Sequence, residues 1–121
     1  MSGLNDDMIC GLIRSVGPET AHDLICFFLE ESRDRLHIMA DLAGTDRLAD
    51  LAREAHSLKS AAFTYGADTL GELARTLERA CRSADVDAIL SSYQALADNA
   101  GAHLDGLEAR AAILVKEDRN A

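Results

Sequence analysis

Apolar residues recur at steps of three and four along almost the whole chain, and no stretch alternates with a period of two. One segment shows the pattern most clearly, with successive steps of 3, 4, 3, 4 and 3 residues: Leu48, Leu51, Ala55, Leu58, Ala62 and Tyr65. This spacing places all of its members on one face of a helix. The sequence therefore predicts an all-α protein built from amphipathic helices, without strands.

Residues that interrupt helices are few, and the chain contains a single proline. Four interruptions divide the chain into five segments. They lie at Gly17-Pro18, at Gly44-Thr45, at Gly66 and at Ser83 to Asp85. Pro18 stands where a first-turn proline is favoured, and Thr45 and Asp85 are suitable N-caps for the segments that follow them. Four long amphipathic helices joined by short turns fold most simply as an up-down-up-down four-helix bundle, with the short accessory N-terminal helix across one end.

The length of the chain supports one domain. Its 121 residues are enough for one compact unit and too few for two. Apolar residues make up 48% of the sequence, which is sufficient for a core and argues against disorder. We therefore expect a single domain over residues 1–121, in which only the tail, residues 116–121, is loose.

Acidic residues outnumber basic ones by 21 to 12, which gives a formal net charge of -9. The phosphate backbone of a nucleic acid would repel such a surface, and no basic amphipathic stretch is present to bind anionic lipid. No apolar run is long enough to span a bilayer, and the first residues lack the pattern of a signal peptide. We therefore expect a cytoplasmic protein with a protein partner, and the acidic charge favours a partner that presents basic residues around its contact patch.

Disulfide, metal and nucleotide sites leave no signature in the sequence. The three cysteines are far apart, form no CxxC pair and match no zinc spacing: Cys10, Cys26 and Cys81. Neither an HExxH nor a Glu-x-x-His pair occurs, and there is no glycine-rich phosphate loop. The sequence therefore predicts reduced thiols, no metal ligands and no bound nucleotide.

Of the four histidines, His56 has the most unusual neighbours. It follows the core residue Ala55, which rotates it about 100° away from the buried seam. Its face of the helix carries a cation together with small and aromatic side chains at i−4, i+3, i+4 and i+7: Ala52, Lys59, Ser60 and Phe63. Small neighbours would allow another protein to approach the imidazole, so Ala52 and Phe63 are candidate docking residues. The remaining histidines stand alone and are interpreted as ordinary surface residues: His22, His37 and His103.

The pair formed by His56 and Lys59 suits phosphoryl transfer. A neutral imidazole nitrogen is a good nucleophile near neutral pH and can carry a phosphoryl group through an N–P bond. The ammonium group, about one turn away, can offset the added negative charge. In-line transfer requires an exposed nucleophile and an incoming partner rather than a closed pocket. Helix geometry alone also permits an incidental histidine and lysine on a solvated face.

The residues that follow His56 resemble a known family. The run reads His-Ser-Leu-Lys-Ser-Ala-Ala, then Tyr65-Gly66-Ala67, and then apolar positions and an acid: Leu70, Leu73, Ala74, Leu77 and Glu78. Over residues 56–78 this pattern resembles the histidine-containing phosphotransfer (HPt) family. The resemblance implies a helical bundle in which His56 is the phosphorylated residue and Lys59 the phosphate-stabilising cation. Glycine usually follows that lysine in the family, whereas here it is Ser60, which is small and has a hydroxyl that can bond the phosphate.

A second stripe of residues lies on the helix that follows: Gly71, Arg75, Glu78 and Arg82. Some members of the family place a polar or basic residue near the phosphohistidine from this helix. Glu78 and Arg82 are therefore further candidates for stabilising the phosphate. The same residues can equally form ordinary ion pairs at i+3 and i+4, each worth a few tenths of a kcal/mol.

The resemblance also implies the kind of partner and the division of labour. Such domains resemble passive phosphoryl carriers rather than enzymes, and they need no cofactor of their own. The receiver domain of a response regulator would supply the phosphorylatable aspartate and the Mg²⁺. The donor would be a receiver domain, commonly that of a hybrid sensor kinase, and the acceptor a second receiver. We expect the carrier itself to be a monomer.

Three other interpretations remain at this point. One is a degenerate HPt-like bundle that binds receivers or kinases without accepting phosphate, although the retained His56 and Lys59 argue against it. Another is the phosphoacceptor module of a chemotaxis-type histidine kinase, in which case an ATP-binding domain would lie elsewhere in the same protein. A purely structural helical bundle is the third.

Overall fold

The structure is a computed structural model, and it describes residues 3–121. These residues form five helices, which are in chain order α1 (Asp6–Val16), α2 (Pro18–Leu42), α3 (Leu48–Thr64), α4 (Asp68–Ser83) and α5 (Val86–Arg119). No strand occurs among residues 3–121. The predicted all-α class is confirmed.

Two of the three predicted helix starts agree with the structure. Pro18 occupies the first turn of α2, and the Asp85 side chain accepts a hydrogen bond of 3.1 Å from the Ala88 N–H at the start of α5. Thr45 does not cap α3, which begins three residues later with Arg47 at its N-cap. Its hydroxyl instead donates to the Leu42 carbonyl at 2.6 Å, so this side chain closes the turn that follows α2.

The buried faces of the four long helices form the core. α3 packs on α4, α4 on α5, α5 on α2 and α2 on α3, while α1 contacts α2 and α5. The predicted seam of α3 is buried at four central positions and half-buried at its two ends, Leu48 and Tyr65. The Tyr65 ring contacts that of Phe28 on α2, with 4.9 Å between their centroids.

The turn between α3 and α4 is held by the N-terminal segment. Gly66 has a φ of +81°, and its carbonyl accepts a hydrogen bond of 2.7 Å from the Asn5 N–H. A Cβ on this glycine would lie 2.8 Å from the Asn5 carbonyl oxygen. Both the backbone conformation and the close approach of the two chain segments therefore require glycine at this position.

The end of the chain differs from expectation. We expected residues 116–121 to be loose, but α5 continues to Arg119. The Arg119 guanidinium donates two hydrogen bonds to the Glu19 carboxylate, one of them at 2.7 Å. Val115 on the preceding turn is buried, so packing and an ion pair both hold the last turns of the helix.

Two further features of the fold concern its cysteines and the apolar length of its helices. All three cysteines lie in the described part of the chain and are free. Across residues 3–121, no helix combines the length and the apolar composition needed to cross a bilayer.

Candidate functional site

His56 projects from the outer surface of α3, as its position beside the buried seam predicts. The preceding residue, Ala55, is fully buried, whereas 54% of the His56 side chain is exposed. One helical turn later lies Lys59, which is half-buried. The imidazole is therefore accessible to a second protein without any opening of the fold.

The buried carboxylate of Glu78, on α4, joins the candidate residues. Its side chain is only 7% exposed. Oε2 lies 2.8 Å from Nδ1 of His56 and accepts a hydrogen bond of the same length from Nη2 of Arg82. Oε1 accepts a hydrogen bond of 2.6 Å from Nζ of Lys59. The structure thus brings together four of the residues that the sequence singled out.

Two opposing effects set the charge of Glu78. Burial alone would raise the pKa of this carboxyl, but hydrogen bonds from Lys59, Arg82 and His56 outweigh it and lower the pKa to about 2. The carboxylate is therefore ionised at neutral pH and can only accept hydrogen bonds. An ionised carboxylate has no proton to donate to a phosphate anion, so the phosphate-stabilising role predicted for Glu78, which stays a prediction, would act through the side chains that it holds.

The ionised carboxylate also determines the tautomer of His56. Because Glu78 can only accept, the proton of a neutral imidazole lies on Nδ1, and the lone pair lies on Nε2. Nε2 makes no hydrogen bond with any residue in the described range 3–121. The site therefore presents a nucleophilic nitrogen that faces away from its orienting partner.

Ser60 and Phe63, predicted on the same stripe, have different settings. Ser60 is exposed, whereas Phe63 is half-buried between the two helices. A Cβ on Gly71 would lie 2.8 Å from the Phe63 ring, and the Arg75 guanidinium covers that ring at 4.9 Å from its centroid. Phe63 thus packs mainly within the protein, which leaves it less available for docking than its helical position indicates.

An open groove of about 540 Å³ lies beside the imidazole. Residues of α3 and α4 line it: Leu48, Ala49, Ala52, Arg53, His56, Cys81 and Arg82. Ala52, a predicted docking residue, is buried but forms part of this lining. Ala49 and Arg53 were missed, although they precede His56 by seven and three residues and so share its helical face. No signal in the sequence could place Cys81 here, because that depends on how α4 packs on α3.

The described part of the chain, residues 3–121, contains no candidate metal site. Among residues 3–121, no three His, Cys, Asp or Glu side chains lie close enough together to hold a metal ion. The closest contact between a histidine and a cysteine that the structure records is the 3.6 Å from His22 Nε2 to Cys26 Sγ, on one exposed face of α2.

Comparison with known proteins gives one family and several relatives. The model of the Hpt domain matches residues 23–112. The phosphorelay protein LuxU of Vibrio vulnificus (strain YJ016) is 31% identical over 85 residues, which cover 70% of this chain and 74% of that protein. The LuxU of Vibrio harveyi is 30% identical over 80 residues, or 66% and 70% of the two chains. No solved structure matches the chain.

Proposed function

This chain belongs to the Hpt domain family, and we propose that His56 is the residue through which it passes a phosphoryl group. Its role is histidine phosphotransfer in a two-component phosphorelay. One observation carries the assignment to His56. The hydrogen bond between its Nδ1 and the buried Glu78 carboxylate fixes an exposed imidazole with Nε2 free to react.

The chemistry follows from this geometry. Nε2 attacks the phosphorus of an aspartyl phosphate on the partner, so an N–P bond forms while the bond from phosphorus to the aspartate oxygen breaks. The electron pair of the broken bond leaves with the aspartate. The imidazole becomes positively charged and keeps its proton on Nδ1, where the ionised Glu78 stabilises that charge. Transfer to a second aspartate reverses the same steps.

The cations around Glu78 support the phosphorylated state. Lys59 and Arg82 carry two positive charges against the one negative charge of the carboxylate, so the cluster has a surplus of one positive charge. The Arg82 side chain is 62% exposed and can turn towards an added phosphoryl group. We assign charge-assisted hydrogen bonds to the phosphate to these two residues, with the exposed Ser60 hydroxyl as a third donor.

The partners are receiver domains of response regulators, one as donor and one as acceptor. The donor is the receiver of a hybrid sensor kinase in this proposal, and the carrier is a cytoplasmic monomer. Each receiver contributes the aspartate and a Mg²⁺ that neutralises charge during transfer. The chain itself acts as a carrier, with no resident cofactor. An exposed nucleophile beside an open groove favours this arrangement, because both partners must reach the same imidazole in turn.

The bundle is proposed to run up-down-up-down. Ion pairs join the start of α2 to the end of α5, through Glu19 and Arg119, and a later turn of α2 to an earlier turn of α5, through Arg33 and Asp105. As the paired residue moves forward along α2, its partner moves backward along α5. The two helices are therefore antiparallel neighbours. His56 with Glu78, and the Phe63 ring with Gly71, give the same relation for α3 and α4.

Phosphoryl transfer from a phosphorylated receiver to purified protein tests the assignment. Wild-type protein should acquire a label that is acid-labile and base-stable, as expected of an N–P bond. His56→Gln should remain folded and lose all of it, because the amide offers no nucleophilic ring nitrogen. His37→Gln is the matched control, since His37 is also an exposed histidine on a long helix and should leave labelling unchanged.

The outcomes separate the alternatives. Label that persists in His56→Gln would refute the site. Receiver binding without any label would identify a degenerate domain. A kinase domain in the same reading frame would favour the chemotaxis-type module. The LuxU relatives are phosphorelay proteins, and they favour the shuttle over that alternative.

A further inference from the structure

The side of α2 that faces away from the core carries carboxylates and two large apolar side chains. Its members follow one another at steps of 4, 3, 4, 4 and 3 residues, which places them along one line of the helix. All six are exposed, and they form the outer stripe of α2: Asp23, Phe27, Glu30, Asp34, Ile38 and Asp41. The stripe is about 27 Å long, at a rise of about 1.5 Å per residue.

The two apolar members of the outer stripe lie in solvent. Phe27 is 62% exposed and Ile38 is 48% exposed. The exposure of Phe27 is unusual for this chain, because Phe28 is buried and the other aromatic side chains are half-buried: Phe63, Tyr65 and Tyr93. Large apolar side chains held in water favour any partner that covers them.

The four carboxylates of the outer stripe have no side-chain partner within residues 3–121. The arginines of α2 do not neutralise them, because each pairs with a neighbouring helix. Arg33 pairs with Asp105 and Glu108 of α5. Arg35 pairs with Glu54 of α3. The outer stripe therefore keeps its negative charge, and its carboxylates are free to bind cations of another molecule.

We propose that the outer stripe of α2 docks a basic amphipathic helix of a partner protein. Lysine or arginine side chains of that helix pair with the four carboxylates, and two apolar side chains cover Phe27 and Ile38. Because Ile38 follows Phe27 by 11 residues, or about three turns, a helix that lies along α2 places its own apolar residues at the same spacing.

Charge complementarity selects this occupant over the others. A second copy of this chain would bring the same carboxylates against the stripe in a symmetric contact. Anionic lipid and nucleic acid would be repelled by it. A basic protein surface is attracted, and the two apolar positions add a requirement that charge alone does not make.

The proposed contact leaves the phosphotransfer site open. None of the six residues of the outer stripe lines the groove beside His56. A partner bound to α2 therefore holds the carrier while a receiver reaches the imidazole. The inference goes beyond the phosphotransfer function proposed above and does not depend on it.

The chain offers matched controls for both kinds of contact. Ile38 and Ile113 are 48% and 47% exposed, and each lies on a long helix. Asp34 and Asp118 are both exposed, and neither side chain has a partner in the described part of the chain. Ile113 and Asp118 lie on α5, outside the stripe. Alanine at either isoleucine removes the same atoms, and lysine at either aspartate changes the net charge equally.

The probe is a synthetic lysine-rich helical peptide with two leucines 11 residues apart, labelled for fluorescence anisotropy and titrated with the whole chain. Wild-type protein should bind it. Ile38→Ala and Asp34→Lys should each raise the Kd about tenfold, and Ile113→Ala and Asp118→Lys no more than about twofold. Binding should weaken in about 1 M salt, where the screening length is about 3 Å. All four residues are exposed, so thermal unfolding should show each variant folded.

Two further measurements locate the contact and test its apolar part. Alanine in place of both leucines of the peptide should weaken binding about tenfold or more. Amide chemical shifts of ¹⁵N-labelled protein should change along the outer stripe when the peptide is added.

Each contrary result would overturn the proposal. Absence of peptide binding, or equal losses in the stripe variants and their controls, would remove the stripe as a docking surface. Undiminished binding of the alanine peptide would reduce the contact to general attraction by an acidic protein. Shift changes at Ala52, Arg53 or His56 instead of α2 would place the peptide in the groove beside the imidazole. None of these measurements involves phosphate, so they stand apart from the labelling of His56.

Discussion

The carboxylate of Glu78 bonds three side chains, and these contacts have two consequences for the proposed phosphoryl transfer. The contact to His56 determines which ring nitrogen can react. The contacts to Lys59 and Arg82 hold two cations near the imidazole before any phosphate arrives. Glu78 is therefore a positioning residue in the proposed mechanism, since it acts through its neighbours and does not touch the reacting phosphorus.

Two substitutions at Glu78 separate its positioning role from simple packing. Glu78→Ala removes the acceptor for Nδ1, so the imidazole should lose its fixed tautomer and transfer should slow by about tenfold or more, as expected for loss of one charge-assisted hydrogen bond. Glu78→Gln keeps an oxygen that can accept from Nδ1 and should retain the tautomer and much of the rate. Long-range ¹H–¹⁵N spectra of the imidazole report the tautomer, and a phosphotransfer assay reports the rate. If both variants kept the wild-type tautomer, the positioning role would be wrong.

The sequence predicts some of these residues but not their arrangement. The exposure of His56 followed from helical periodicity, because position relative to a buried seam is a property of one helix. The burial of Glu78 did not follow, since it depends on how α4 is rotated against α3. The stripe of Arg75, Glu78 and Arg82 suggested surface ion pairs, and only the packed structure shows that its central member is buried beneath the imidazole.

At the scale of the elements, the turn between α3 and α4 determines how His56 and Glu78 face each other. Gly66 lies at this turn with a positive φ, directly against the Asn5 carbonyl. Breaker residues gave the number of helices correctly, because glycine and proline act locally. The capping role predicted for Thr45 is wrong, because its hydroxyl donates to the Leu42 carbonyl instead. The last turns of α5 are held by the hydrogen bonds from Arg119 to Glu19. Helical periodicity reveals neither contact.

Replacement of Gly66 by alanine should destabilise the fold by about 1–3 kcal/mol, because a Cβ strains the left-handed backbone and displaces the N-terminal segment. Gly101→Ala on α5 is the control, since no described residue lies within 4 Å of the position its Cβ would take. That variant should gain about 0.5–1 kcal/mol from the higher helix propensity of alanine. Urea denaturation measures both changes, and equal free energies of unfolding for wild type and Gly66→Ala would refute the strain argument.

At the scale of the whole molecule, the net charge does not describe the surface beside His56. The net charge of -9 is a sum over 121 residues, whereas the surface beside His56 presents Arg53 and Arg82. The net charge alone cannot place these arginines beside His56, since a total says nothing about where charges lie. The ion pairs of Asp6 and Glu19 lie on other surfaces, whereas Asp50 pairs with Arg53 at the edge of this one. Hydrogen bonds from arginine hold the pKa of each of these three carboxyls below its ordinary value.

The lowered pKa of Glu78 makes the stability of the whole fold depend on pH in a predictable direction. Its pKa is about 2 in the folded protein, against 4.5 ordinarily, so the unfolded chain binds the proton more readily between these values. The resulting stabilisation, about 3 kcal/mol, is fully present above pH 4.5 and is lost as the pH falls towards 2.

Glu78→Gln isolates this contribution, because glutamine resembles the protonated carboxyl and all other acidic groups are shared with the wild type. The wild type should be more stable than the variant at neutral pH by about 3 kcal/mol. The gap should close as the pH falls through the range from 4.5 to 2, because the wild-type carboxylate then takes up its proton. Denaturant unfolding of both proteins at a series of pH values measures the gap. A gap that stayed constant over this range would show that the ionised carboxylate does not stabilise the folded state.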